Sequence, residues 1–190
     1  MKYYRPLVRH GEARPEGAIH LAGSALWFTE VEILERNAPP RIAPAGLLPE
    51  EVRLRLMSRR AAIAGLDMTH PQIMGILNVT PDSFSDGGKH DEADRATQAA
   101  LQMVADGASI IDVGGESTRP GATEVEELEE ITRTAPVISA IRDQSEVPIS
   151  IDTRKATVAM EALEVGASLI NDVSGFTFDA ALAPLAAQAG

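Results

Sequence analysis

The sequence predicts an α/β fold of parallel strands joined by helical crossovers, and three observations carry that prediction. Four short, strongly apolar runs lie between residues 71 and 190, and each reaches an Asn or Asp at its end: Asn78, Asp112, Asp152, and the pair Asn171 and Asp172. A segment with helical apolar spacing follows each run. Gly107-Ala-Ser-Ile-Ile-Asp-Val is nearly repeated by Gly166-Ala-Ser-Leu-Ile-Asn-Asp-Val, so a helix-closing glycine is twice followed by a buried strand and a polar strand end. Strand–helix units in succession imply right-handed parallel crossovers.

Taken in order, Ile73 to Val79 reads as the first strand, and because both its faces are apolar it is expected to be fully buried. Asp91 to Ala105 is a helix with Ala96, Ala99, Ala100, Met103 and Val104 on one side, closed by Gly107. Ser109 to Val113 is the second strand. Thr123 and Glu126 are expected to form a capping box for a helix carrying Val125, Leu128 and Ile131, which Pro136 interrupts or kinks. Pro148 to Ile151, the helix Ala156 to Val165, the strand Leu169–Ile170 and a last helix through Leu182 and Leu185 complete the series.

No Gly-x-Gly-x-x-Gly fingerprint follows the first strand, so a (β/α)8 TIM barrel is preferred to an open doubly wound sheet. A barrel needs eight strands and roughly 250 residues. The four strands found here correspond to about the first four βα units, preceded by an N-terminal extension and ending before a fifth strand.

Residues 1–70 are less legible. Tyr3 to His20 shows no sustained periodicity, and Pro39, Pro40 and Pro44 mark a break. Pro49, with Glu50 and Glu51 behind it, Arg59 and Arg60 late and Gly65 beyond, predicts one helix. Its arginines are most simply a solvated face, and no site is placed here.

The 190 residues suffice for a substantial core, and 44% hydrophobic with 24% charged residues is ordinary for a globular protein. Cysteine is absent, which excludes a disulfide framework, a thiolate metal site and a Cys nucleophile. With no secretory leader pattern and no apolar run of membrane-spanning length, a cytoplasmic setting is expected. The net charge of −11 is uneven: residues 1–70 hold 10 Lys+Arg against 8 Asp+Glu, and residues 71–190 hold 7 against 20. The second segment is the opposite of a nucleic-acid surface. An anionic ligand there would need a metal ion or a few local arginines.

In a parallel barrel the carboxyl ends of the strands share one face, which brings Asn78, Asp112, Asp152, Asn171 and Asp172 together. Each alone could simply be a turn former. Oxygens such as those of Asn78 and Asp112 suit a hard cation like Mg2+ that shares its shell with phosphates. Asp152 and Asn171 could read donors and acceptors on a flat heterocycle. The loop Gly114-Gly-Glu-Ser-Thr-Arg-Pro-Gly121 offers hydroxyls and Arg119 to an anion. It is not a phosphate-binding P-loop, for Lys-Ser or Lys-Thr after a glycine is missing. Phe84, with few apolar neighbours, is a local plug or a cover for a bound aromatic. Arg154 and Lys155, at a helix start, read as surface charge.

Met74-Gly-Ile-Leu-Asn-Val-Thr-Pro-Asp-Ser-Phe-Ser-Asp-Gly-Gly88 and Ile111-Asp-Val-Gly-Gly-Glu-Ser-Thr-Arg-Pro-Gly121 resemble the two signatures of the dihydropteroate synthases, and Ile149-Ser-Ile-Asp-Thr153 and Ile170-Asn-Asp-Val173 match their third and fourth strands. The resemblance spans about residues 71–190 and implies a barrel enzyme of folate synthesis, the sulfonamide target. Such an enzyme joins p-aminobenzoate to 7,8-dihydropterin-hydroxymethyl diphosphate and releases diphosphate. It further implies Asn78 at a diphosphate-bound Mg2+; Asp112, Asp152 and Asn171 lining the pterin pocket; Thr118, Arg119 and Pro120 in a second loop; and Phe84 beside p-aminobenzoate. Asp112 or Asp86 would stabilise developing charge electrostatically, and Arg119 would grip an anion. Motifs from the fifth strand onward have no counterpart, so a second half is implied for turnover, with a homodimer open for the complete enzyme. The alternatives are a pterin-binding methyltransferase acting with a corrinoid protein and a non-catalytic fragment.

Overall fold

The computed structural model describes residues 1–80, 89–117, 121 and 123–189, with residues 89–91 as backbone only. The chain divides into two compact units, Met1–Ile63 with Asp67–Pro71, and Ala64–Leu66 with Gln72–Gly190.

The first unit holds strands where the sequence reading saw none. Strand β1 (Lys2–Pro6), the short pair β2 (Ile19–His20) and β3 (Trp27–Phe28), β4 (Glu30–Glu35) and β5 (Arg41–Pro44) precede helix α1 (Glu50–Met57). An antiparallel sheet runs β1-β4-β5, and β2 pairs with β3. Alternation in β4 explains the sheet: Val31 and Ile33 turn inward with Ala43, Phe28 and the α1 residue Val52, while Glu30 and Glu32 stand on the other face. Across that outer face Arg5 pairs with Glu32. The pattern was missed because a six-residue alternating strand is short and β1 is half exposed.

The helix predicted to run past Arg60 ends at Met57. Pro49 is its N-cap, and Ser58 is already extended, with φ −60° and ψ 136°. Both the amide and the hydroxyl of Ser58 donate to Leu54 O, which closes the last turn early.

The second unit is a parallel sheet in the order β6 (Met74–Asn78), β7 (Ile110–Gly114), β8 (Ile149–Asp152), β9 (Leu169–Asn171). Helices α2 (Lys89–Ala105), α3 (Glu127–Arg142), α4 (Ala156–Glu164) and α5 (Leu182–Ala189) alternate with the strands. Parallel register places Leu77, Val113, Ile151 and Ile170 in one row, and this face meets the helices. There Ile111, Ile149 and Ile151 pack with Ala96, Ala100, Ile138, Ile141, Val158, Ala162 and Leu182 as one core.

The opposite face carries Ile76, Asp112, Ser150 and Leu169 in one row, and Asn78, Gly114, Asp152 and Asn171 in the next. Full burial of the first strand is therefore not observed. Ile76 is 64% exposed, whereas Leu77 is 2% exposed. β6 is an edge strand, and among the described residues the helices cover only one of its faces.

Two helix expectations also change. α3 starts at Glu127, and its N-cap Glu126 makes no side-chain capping bond, so no capping box with Thr123 forms. The Val125 carbonyl ahead of it instead accepts from Lys155 Nζ. Pro136 lies inside an unbroken α3. It sits on the exposed side, so the carbonyl it leaves without an amide partner can be hydrated. The glycine after α4 behaves as predicted: Gly166 has φ 115°, and its carbonyl accepts from Arg142 Nη2 at 3.0 Å.

Candidate functional site

The polar strand ends converge because of register. A residue that ends β6 on the uncovered face has β7, β8 and β9 counterparts on the same face, so Asn78, Asp152 and Asn171 share a row and Asp112 lies one row below. Gly114 completes the upper row with no side chain. A Cβ there would stand 3.5 Å from Asp152 Oδ2 and 3.8 Å from Asn78 Oδ1, so both oxygens border the hollow that glycine leaves.

Asp112 is 4% exposed. Asn171 Nδ2 donates to its Oδ2 at 3.0 Å, whereas Oδ1 has no hydrogen-bond partner among the described residues. A buried carboxylate oxygen without a donor costs free energy and is an acceptor set for a ligand. The Asp152 carboxyl is pushed up to about 6, by burial first and then by the negative charges of Asp112, Glu130, Asp172 and Glu116. An N–H donor reaching Asp152 would relieve that penalty.

Asp172 stands at the same strand end, but its carboxylate is spent on the following loop. It accepts from the Ser174 amide, the Ser174 hydroxyl and the Phe176 amide, each at 2.7 Å. Burial works against its charge, yet these donors hold its carboxyl below the usual range. Of the expected site residues, Asn78, Asp112, Asp152 and Asn171 are brought together. Phe84, Asp86, Thr118, Arg119 and Pro120 lie outside the described residues.

The sequence reading missed a buried charged cluster just past the ends of β7 and β8. Lys155, taken for surface charge, is 4% exposed. Its Nζ donates to Glu116 Oε2 and Glu130 Oε2, each at 2.7 Å, and to Val125 O. Arg154 Nη2 donates to Glu116 Oε1 at 2.8 Å, and its guanidinium lies 4.1 Å from the Phe178 ring centre. Burial opposes the charge on Glu116, but Lys155 and Arg154 hold its carboxyl low; burial likewise opposes the Lys155 ammonium, which Glu116 and Glu130 hold high. One signal could have found the cluster. Glu130 stands on the same helical stripe as Thr134, Val137, Ile138 and Ile141, and a carboxylate on a buried stripe needs a buried cation.

Fold and site define a parallel α/β protein with a cluster of carboxylates and amides at the carboxyl ends of its strands. A family model described as pterin binding enzyme matches residues 74–190, and the chain belongs to that family. It is 59% identical over 116 residues to a dihydropteroate synthase of Bacillus subtilis, covering 61% of this chain and 41% of that protein. With a dihydropteroate synthase of Escherichia coli it shares 55% over 117 residues, 62% of this chain and 42% of the relative.

Among solved structures, a dihydropteroate synthase from Clostridium difficile in the presence of pteroic acid matches with a TM-score of 0.60 and 52% identity, covering 62% of this chain and 45% of that one. A Xanthomonas albilineans dihydropteroate synthase with 4-aminobenzoic acid matches with a TM-score of 0.62 and 45% identity, covering 66% and 48%. The chain thus spans less than half the length of the relatives it matches.

Proposed function

We propose that this chain supplies the pterin-binding part of a dihydropteroate synthase, which condenses 7,8-dihydropterin-hydroxymethyl diphosphate with p-aminobenzoate to give dihydropteroate and diphosphate. The observation that carries the reading is Asp112 Oδ1, without a hydrogen-bond partner among the described residues, beside Asp152 and Asn171 on one sheet face. Two carboxylates and an amide suit a flat heterocycle bearing several N–H groups and ring nitrogens. In finer detail, β6 to β9 and their helices would be the first four units of a (β/α)8 barrel. Strands paired in sequence order, with helices on one face, support that over a doubly wound sheet.

In the proposed reaction the arylamine nitrogen bonds to the methylene carbon of the pterin as the carbon–oxygen bond to diphosphate breaks, and the amine gives up a proton. Asp112, Asp152 and Asn171 would hold the ring, and the negative charge of Asp112 or Asp86 would stabilise positive charge gathering at the methylene carbon. Thr118, Arg119 and Pro120, with Phe84, are proposed for the arylamine and anion side. The amine is already nucleophilic and needs mainly placement.

A Mg2+ ion is part of the proposal. Among the described residues no three His, Cys, Asp or Glu side chains form a metal site. Asn78 offers a single exposed amide oxygen at a strand end. That donor set fits an ion that keeps waters and takes its other ligands from diphosphate, and not one caged by protein. When bound, the ion would take up charge on the leaving diphosphate.

Among the described residues no helix is long and apolar enough to cross a membrane. Cytosolic location, in keeping with a cysteine-free sequence, and a homodimeric complete enzyme belong to the same proposal. The test is calorimetric titration of the chain with 6-hydroxymethylpterin, followed by diphosphate release with the dihydropterin diphosphate, p-aminobenzoate and Mg2+. Pterin binding that Asp152→Asn abolishes supports the reading, and no pterin binding by the unsubstituted chain overturns it.

A further inference from the structure

The ligand chemistry proposed above does not use the buried cluster around Lys155. We infer that Lys155 is a positioning residue: its ammonium grips Glu116 and Val125, which flank residues 117–124, and fixes them against the strand end that carries Asp152.

Three separate chain segments meet at one nitrogen. Nζ binds Glu116 from 39 residues away, Glu130 from 25 and the Val125 carbonyl from 30. Lys155 is itself held near Asp152, because its backbone amide donates to Thr153 Oγ1 at 3.2 Å and the Thr153 amide donates to Asn171 O at 3.0 Å. The Glu116 foot is locked twice more: Arg154 takes its second oxygen, and Arg133 Nη1 donates to the Gly115 carbonyl at 2.8 Å. Gly115 has no Cβ to hold α3 away; one would lie 2.8 Å from Thr134 Cγ2 and 3.2 Å from Glu130 O.

Stability alone is a weak reason for such a cluster, since well-packed apolar side chains of equal volume stabilise a core as well as buried ions do. Directional bonds between distant segments do what apolar packing does not: they set register to a fraction of an ångström. The consequence for binding rests on the function proposed above. Thr118 and Arg119 lie between the two held feet, so loosening the grip weakens the arylamine more than the pterin.

The experiment compares the full chain with Lys155→Met and Glu116→Gln, by hydrogen exchange and by binding of 6-hydroxymethylpterin and of p-aminobenzoate in its presence. At least tenfold faster exchange at residues 115–117 and 125–128 is expected, with β8 within twofold. The p-aminobenzoate Kd weakens at least tenfold while the pterin Kd stays within threefold. Unchanged exchange at both feet overturns the inference, and so does loosened exchange with unaltered p-aminobenzoate affinity. If Lys155→Met does not fold, Glu116→Gln carries the same readouts, since Glu130 still balances Lys155. Absence of pterin binding by the unsubstituted chain overturns the proposed function, and the exchange data then decide the grip by themselves.

Discussion

Asn171 and Asp112 come from strands separated by β8, yet the Asn171 amide donates to the Asp112 carboxylate at 3.0 Å across the uncovered sheet face. The bond orients Asn171, and the other Asp112 oxygen has no hydrogen-bond partner among the described residues. Asn171→Ala strips a buried carboxylate of its donor, at a cost of about 1–3 kcal/mol. Urea unfolding should show that loss, and pterin affinity by calorimetry should fall at least tenfold. Asn171→Asp should be worse, because it sets like charges together.

Asp152 makes the protein sensitive to pH in a defined direction. Its folded carboxyl, pushed up to about 6 from an ordinary 3.8, favours the protonated form more than the unfolded chain does. This group therefore stabilises the fold relatively at low pH, and that contribution is lost as pH rises from about 4 to 6. With allowance for solvent access the effect is on the order of 1 kcal/mol. Asp152→Asn should gain urea resistance relative to the unsubstituted chain at pH 7.5 and not at pH 4.

The same carboxyl predicts proton-linked binding. An N–H donor favours the ionised form, so pterin affinity should rise with pH through about 6, and binding near that pH should release protons. Calorimetry in buffers of differing ionisation enthalpy measures the release. A flat profile between pH 5 and 7.5 would remove Asp152 from the pocket.

One isoleucine on each sheet face tests the assignment of faces. Ile151, fully buried against the helices, should cost about 2–5 kcal/mol as Ile151→Ala. Ile76, 64% exposed on the opposite face, should cost less than about 0.5 kcal/mol as Ile76→Ala. Equal costs in urea unfolding would contradict the one-sided core.

Gly115 is set by close approach. Gly115→Ala should destabilise by about 1–3 kcal/mol, because the added methyl meets Thr134 and the backbone of α3. A melting temperature unchanged within 1 °C would show that α3 can shift away.

Much of the second unit was legible in the residues. Apolar runs ending at Asn78, Asp112, Asp152 and Asn171, with Gly107 and Gly166 closing the helices α2 and α4, report local preferences that parallel crossovers leave intact. Convergence of those four polar groups also followed, because strands of one direction put their carboxyl ends on one edge. Tertiary structure decided which face each residue meets. Ile76 and Leu77 are neighbours of one chemistry, and only the position of the helices makes one exposed and the other core.

Lys155 shows the same limit. A lysine at a helix start reads as solvated charge, and its burial depends on Glu116 and Glu130, which lie 39 and 25 residues away. Asp172 and Asn171 are adjacent in sequence, yet loop amides claim the Asp172 carboxylate while the Asn171 amide reaches Asp112. Side-chain type and, in the second unit, the succession of strands and helices, which are local, were written in the sequence alone. The partner of each buried charge was not, because a charge finds its counter-ion through the fold and not along the chain.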